Sequence, residues 1–118
     1  MAYKVNIEKK TISNNNYRKV LFTTEQMQLV VMSLLPGEDI PREKHKDTSQ
    51  FIRVEDGECQ IIVDKKKFRL KSDDSIIIPA NTWHYVKNTG KKKLKIYTIY
   101  TPPEHNSNAL MYRQISQI

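Results

Sequence analysis

From Tyr17 onward the chain is cut into short apolar runs by tight-turn residues, and that rhythm confines it to an antiparallel β architecture. The runs are Tyr17 to Thr23, Gln28 to Leu35, Phe51 to Val54, Cys59 to Val63, Phe68 to Leu70, Ser75 to Ile78, Trp83 to Lys87 and Leu94 to Thr101. Each is rich in β-branched and aromatic residues and short enough for a strand. Between them stand Pro36-Gly37, Asp56-Gly57, Asp64-Lys65, Asp73-Asp74, Pro79-Ala80-Asn81 and Asn88-Thr89-Gly90, with Asp56-Gly57 the strongest hairpin signal. The spacing predicts an all-β sandwich or barrel.

A length of 118 residues suits one domain, spanning 1–118, with enough apolar surface for a core. Hydrophobic residues at 38% and charged residues at 28% exclude collagen-like, low-complexity and disordered chains. Apart from the polar stretch Lys9 to Asn16 and the tail after Pro102-Pro103, nothing reads as linker, and no repeat is visible. In the tail, Leu110, Met111 and Ile115 are spaced for a short C-terminal helix or an extended arm. The longest apolar stretches, Gln28 to Leu35 and Ile76 to Pro79, fall short of the ~20 residues a membrane helix needs. Met-Ala-Tyr-Lys opens no signal-peptide apolar region, so a cytoplasmic location without membrane association is expected.

Cys59, the single cysteine, cannot close an internal disulfide and has no finger spacing around it. Lying within Cys59-Gln60-Ile61-Ile62-Val63, it reads as a small core hydrophobe with no chemistry. Twenty Lys and Arg against thirteen Asp and Glu give a net charge of +7, which suits nucleic acid, an anionic membrane or an anionic small molecule. The densest runs, Lys65-Lys66-Lys67 and Lys91-Lys92-Lys93, adjoin turn signals and lack interleaved aromatics. They read as solvated hairpin tips, and nucleic acid ranks last among the partners.

In Pro41-Arg42-Glu43-Lys44-His45-Lys46, alternation sets Glu43 and His45 on one face and three cations on the other. Burying the three cations would cost far more, so Glu43 and His45 face inward. Gln50, five positions after His45, joins that face if Lys46 to Ser49 resets the parity by a turn or bulge. His84 stands between Trp83 and Tyr85 and shares its face with Val86 and Asn88. Two imidazoles, a carboxylate and an amide oxygen converging from separate strands make a ligand set that a divalent first-row metal accepts. His105, in Pro102-Pro103-Glu104-His105, reads as a surface residue of the tail.

Gly37, Glu43, His45, Gln50 and Gly57, in that spacing, resemble the first cupin motif, with Glu43 and Gln50 where the family usually has His and Glu. Asp73, Pro79, Asn81, His84 and Asn88 resemble the second, with Asp73 and Asn81 where glycine is usual. The stretches from Ile76 to His84 and from Tyr97 to His105 are similar to small single-domain cupins of the mannose-6-phosphate-isomerase-like group. The resemblance covers about 28–101, leaving N-terminal strands within 1–27 and a tail at 102–118. It implies a jelly roll, a conical antiparallel β-barrel, holding a divalent metal (Fe, Mn, Ni or Zn) through Glu43, His45, Gln50 and His84.

Such a protein is expected to be a metal-dependent enzyme acting on a small, anionic or sugar-like molecule, as a dioxygenase, isomerase or epimerase. The alternative is a non-catalytic cupin that uses the metal for ligand capture. Phe51, Trp83, Tyr85, Tyr97 and Tyr100 are candidate walls of the substrate pocket. A homodimer is expected, because Tyr17 to Thr23 and Gln28 to Leu35 would otherwise leave apolar edges exposed.

Overall fold

Two antiparallel sheets face each other across the core in the computed structural model, which describes residues 1–113. The strands are β1 (Arg18–Thr23), β2 (Gln28–Leu34), β3 (Asp39–Glu43), β4 (Ser49–Asp56), β5 (Glu58–Val63), β6 (Lys66–Lys71), β7 (Ser75–Ile78), β8 (His84–Asn88), β9 (Leu94–Thr101) and β10 (Leu110–Met111). One sheet runs β10-β1-β2-β9-β4-β7 and the other β3-β8-β5-β6. Strict alternation sends Val30, Met32, Leu34, Ile52, Val54, Ile96 and Tyr100 from the first sheet, and Cys59, Ile61 and Val86 from the second, into one buried cluster. The all-β jelly-roll expectation is thus met.

Asp56-Gly57 does not close a hairpin. β4 pairs with β7 and β9, whereas β5 pairs with β6 and β8, so the dipeptide is the corner at which the chain leaves one sheet for the other. The two-residue hairpin lies instead at Asp64-Lys65, joining Val63 to Lys66. Both lysine runs are exposed there and in the loop before β9, as expected of solvated tips.

The polar stretch read as linker contains a helix, α1 (Ile7–Ser13), within the segment 1–27 where only strands were expected. Asn6 caps it through Lys9 N, Glu8 sits in its first turn and Lys10 in its last. Thr11, its buried residue, donates to Ile7 O at 2.6 Å. In the tail, Leu110 and Met111 are extended and pair with β1 as far as the description reaches, while Ile115 lies outside the described residues.

Candidate metal centre

β3 and β8 pair with Glu43 opposite His84, after a register shift that absorbs Pro41 and Arg42. Proline has no N–H to offer a ladder, so a break in pairing suits it. His45 follows two residues beyond Glu43, and its carbonyl accepts Asn81 N at 2.7 Å. Asn81 holds φ of +62°, a left-handed conformation in the turn that leads into β8. Backbone geometry therefore fixes both histidine-bearing segments against each other.

One ligand atom each from Glu43, His45 and His84 fall within 4.8 Å of one another. Glu43 Oε1 lies 3.2 Å from His45 Nε2 and 3.4 Å from His84 Nε2, and the two rings are 5.2 Å apart. Both histidines are buried, and Glu43 is partly open to solvent. Gln50 is buried on β4, donating Nε2 to Thr98 Oγ1 at 3.0 Å. The bends at Lys46 and Asp47 supply the parity reset that turns it inward.

The ring nitrogens decide what the cluster can hold. His84 Nδ1 is 3.1 Å from Thr82 O, and His45 Nδ1 is 2.9 Å from Glu104 Oε1. Both partners are acceptors and suit an Nδ1–H donor, a tautomer that in a neutral ring leaves the Nε2 lone pair facing Glu43. Neither Nε2 makes a hydrogen bond, and Gln50 Oε1 is likewise buried without one. Burial pushes the Glu43 carboxyl up, but His45 and His84 outweigh it and bring it down to about 2. Burial lowers His45 as well, and Glu43, then Glu104, reverse this and raise it. A carboxylate set between two ring nitrogens is satisfied by an Nε2 proton or by a metal cation, and two imidazoles with a carboxylate match the donor preference of first-row divalent metals.

Of the aromatic residues expected around a pocket, Tyr100 alone has a ring contact with a site histidine among the described residues, edge-on to His45 at 5.7 Å. Phe51 and Tyr97 pack on each other at 6.1 Å on the outer face of the sheet, because each alternates with an inward residue, Gln50 or Thr98. Trp83 lies under the guanidinium of Arg42, 4.2 Å from its ring centre, with Lys44 Nζ at 5.0 Å. Tyr85, one residue beyond His84, faces away from the core and donates to Asp39 Oδ2 at 2.7 Å. Glu104 and His105 were missed as site neighbours. His105 is only partly exposed, its ring stands edge-on to Tyr100 at 4.9 Å, and its Nε2 is enclosed without a partner. Their signal was the Pro-Pro-Glu-His sequence itself, but nothing local tells a tail from a strap folded back over a barrel.

Comparison with known proteins adds family context. The Cupin domain family model matches residues 30–100. The uncharacterized protein YrkC of Bacillus subtilis is 43% identical over 107 residues, 86% of this chain, which spans 58% of YrkC's length. Quercetin 2,3-dioxygenase of the same organism is 33% identical over 78 residues, covering 65% of this chain and 23% of the dioxygenase. The crystal structure of BH2720 from Bacillus halodurans superposes with a TM-score of 0.93 at 37% identity, covering 95% of this chain and 89% of that one.

Proposed function

The chain belongs to the cupin family, and from that premise we propose a metal-dependent protein that acts on a small organic molecule, anionic or sugar-like, in one domain of the mannose-6-phosphate-isomerase-like kind. Glu43, His45 and His84 hold the metal, and Gln50 Oε1 is the fourth and weakest donor. The observation that carries this reading is the set of buried polar atoms without hydrogen-bond partners, His45 Nε2, His84 Nε2 and Gln50 Oε1. A divalent ion bound there supplies a Lewis acid or an oxygen-binding centre. The residues of the chain then have separate tasks: Thr82 O accepts from the His84 imidazole, Thr98 fixes the amide of Gln50, and Tyr100 walls the site beside His45. The likeness to quercetin 2,3-dioxygenase favours catalysis over ligand capture.

Reconstitution with Fe, Mn, Ni, Zn and Co in turn, followed by elemental analysis, is expected to give one metal per chain. His45→Ala loses the metal more completely than Gln50→Ala, since imidazole is the better donor to these ions. No metal retained under any of the five conditions would end this reading.

We further propose that the protein pairs with a second copy through the outer face of the larger sheet. Ile77, Phe51, Ile99, Leu29 and Phe22 stand in cross-strand register from β7 to β1, and Ile77 is 70% exposed. Light scattering is expected to report twice 13.9 kDa at micromolar concentration.

A further inference from the structure

Beyond β9 the chain folds back across the barrel as a strap, and one buried side chain secures it. Gln28, fully buried at the start of β2, accepts Glu104 N at 3.2 Å and His105 N at 3.0 Å on its Oε1. Its Nε2 donates to His105 O at 2.8 Å and to Thr23 Oγ1 at 3.0 Å. The amide is thereby satisfied on both sides, and three of its four bonds grip the backbone of two consecutive strap residues. A contact this specific positions the side chain that follows from it. That side chain is Glu104, whose Oε1 reaches His45 Nδ1 at 2.9 Å while the side chain as a whole remains about one-third exposed (32%).

We propose that Glu104 is a positioning residue of the metal site: held by Gln28, it fixes the Nδ1–H tautomer of His45, so that the Nε2 lone pair is presented to the metal. The inference rests on the metal reading of the cluster. Its physical basis is that an imidazole has one proton to place when neutral. A carboxylate at Nδ1 captures that proton, sets the ring plane and makes the opposite nitrogen a stronger donor. His84 receives the corresponding constraint from a backbone carbonyl, Thr82 O, which no side-chain substitution removes. His45 depends instead on a side chain nearly sixty residues distant in sequence, so the strap is part of the site rather than a cover over it.

Two measurements on the intact chain test this. The first is long-range 1H–15N NMR of the imidazoles in metal-free protein, recorded at rising pH until the His45 signals no longer change. Wild type is expected to show His45 with Nδ1 protonated and Nε2 bare, Glu104→Gln to keep that tautomer through its amide oxygen, and Glu104→Ala to lose it. The second is titration with Zn2+ or Mn2+ by calorimetry. Glu104→Ala is expected to bind about 10–100-fold more weakly than wild type, with Glu104→Gln between the two. Circular dichroism and the melting temperature establish that each variant is folded. The proposal is overturned if wild type carries the His45 proton on Nε2, or if folded Glu104→Ala keeps both tautomer and affinity. Failure of wild type itself to bind any metal would sink the metal reading, while the NMR arm would still decide whether Glu104 sets the tautomer.

Discussion

Asp73 and Asn81 hold φ of +76° and +62°, where a side chain with a Cβ is normally strained. Short Asx side chains tolerate this region best among non-glycine residues, and each has further work. Asp73 pairs with Arg53 at 2.9 Å, and Asn81 N holds the His45 carbonyl. Asn81→Gly is therefore expected to keep or slightly raise stability with unchanged metal affinity, whereas Asn81→Val costs about 1–2 kcal/mol and weakens metal binding by shifting His45. Urea denaturation and metal titration of the two variants check this. Both positions stood out in the sequence as departures from glycine, so the backbone demand was visible there. That Glu43 and His45 share a face was also legible, because alternation assigns faces without knowledge of partners, whereas their meeting with His84 was implied only by the resemblance to the two cupin motifs. Glu104 was not legible, because its role depends on a long-range return of the chain that Gln28 enforces.

At the scale of elements, β7 and β9 have the bounds that their apolar runs mark out, since turn residues delimit both ends. Asp56-Gly57 shows where local reading stops. Gly57 has φ of +92°, and a Cβ there would lie 3.0 Å from Lys93 O and 3.1 Å from Leu94 Cα. The glycine is needed both for its left-handed backbone and for close approach to the loop before β9. A hairpin and a corner between sheets make the same demand on the dipeptide, and only the partners of the flanking strands distinguish them. α1 was hidden for a different reason. With seven residues and one buried side chain, Thr11, it has no apolar stripe to display a helical period. Capping by Asn6 and packing against the larger sheet hold it in place of intrinsic pattern.

Over the whole molecule, burial of titratable groups ties stability to pH, and His105 governs a window of its own. Its imidazole is held down at about 4, chiefly by burial, with Arg18 on β1 adding to the effect, Glu43 on β3 opposing it and His45 adding a little more. Unfolded, the ring titrates near 6.5. Between these values the unfolded chain binds more protons than the native one, so stability falls as pH drops from 6.5 toward 4 and this group takes nothing further below that. The neighbouring groups act elsewhere. His45 is raised above 6.5, so its contribution is complete below 6.5 and is lost as pH rises through the raised value. Glu43, lowered from 4.5 to about 2, contributes fully above 4.5 and loses its share as pH falls toward 2. The interval from 6.5 to 4.5 thus isolates His105 from both. His105→Phe keeps a ring against Tyr100, removes the enclosed nitrogen that has no partner, and cannot titrate. Melting temperature measured across pH 4.5–7.5 is expected to be unchanged or higher for the variant at pH 7.5. Its decline toward pH 4.5 is expected to be shallower by the equivalent of about 1–2 kcal/mol, a figure discounted for the solvent that reaches the exposed edge of the ring. An acid limb as steep in His105→Phe as in wild type would show that the proton is taken up elsewhere, and that the strap does not bury this imidazole in solution.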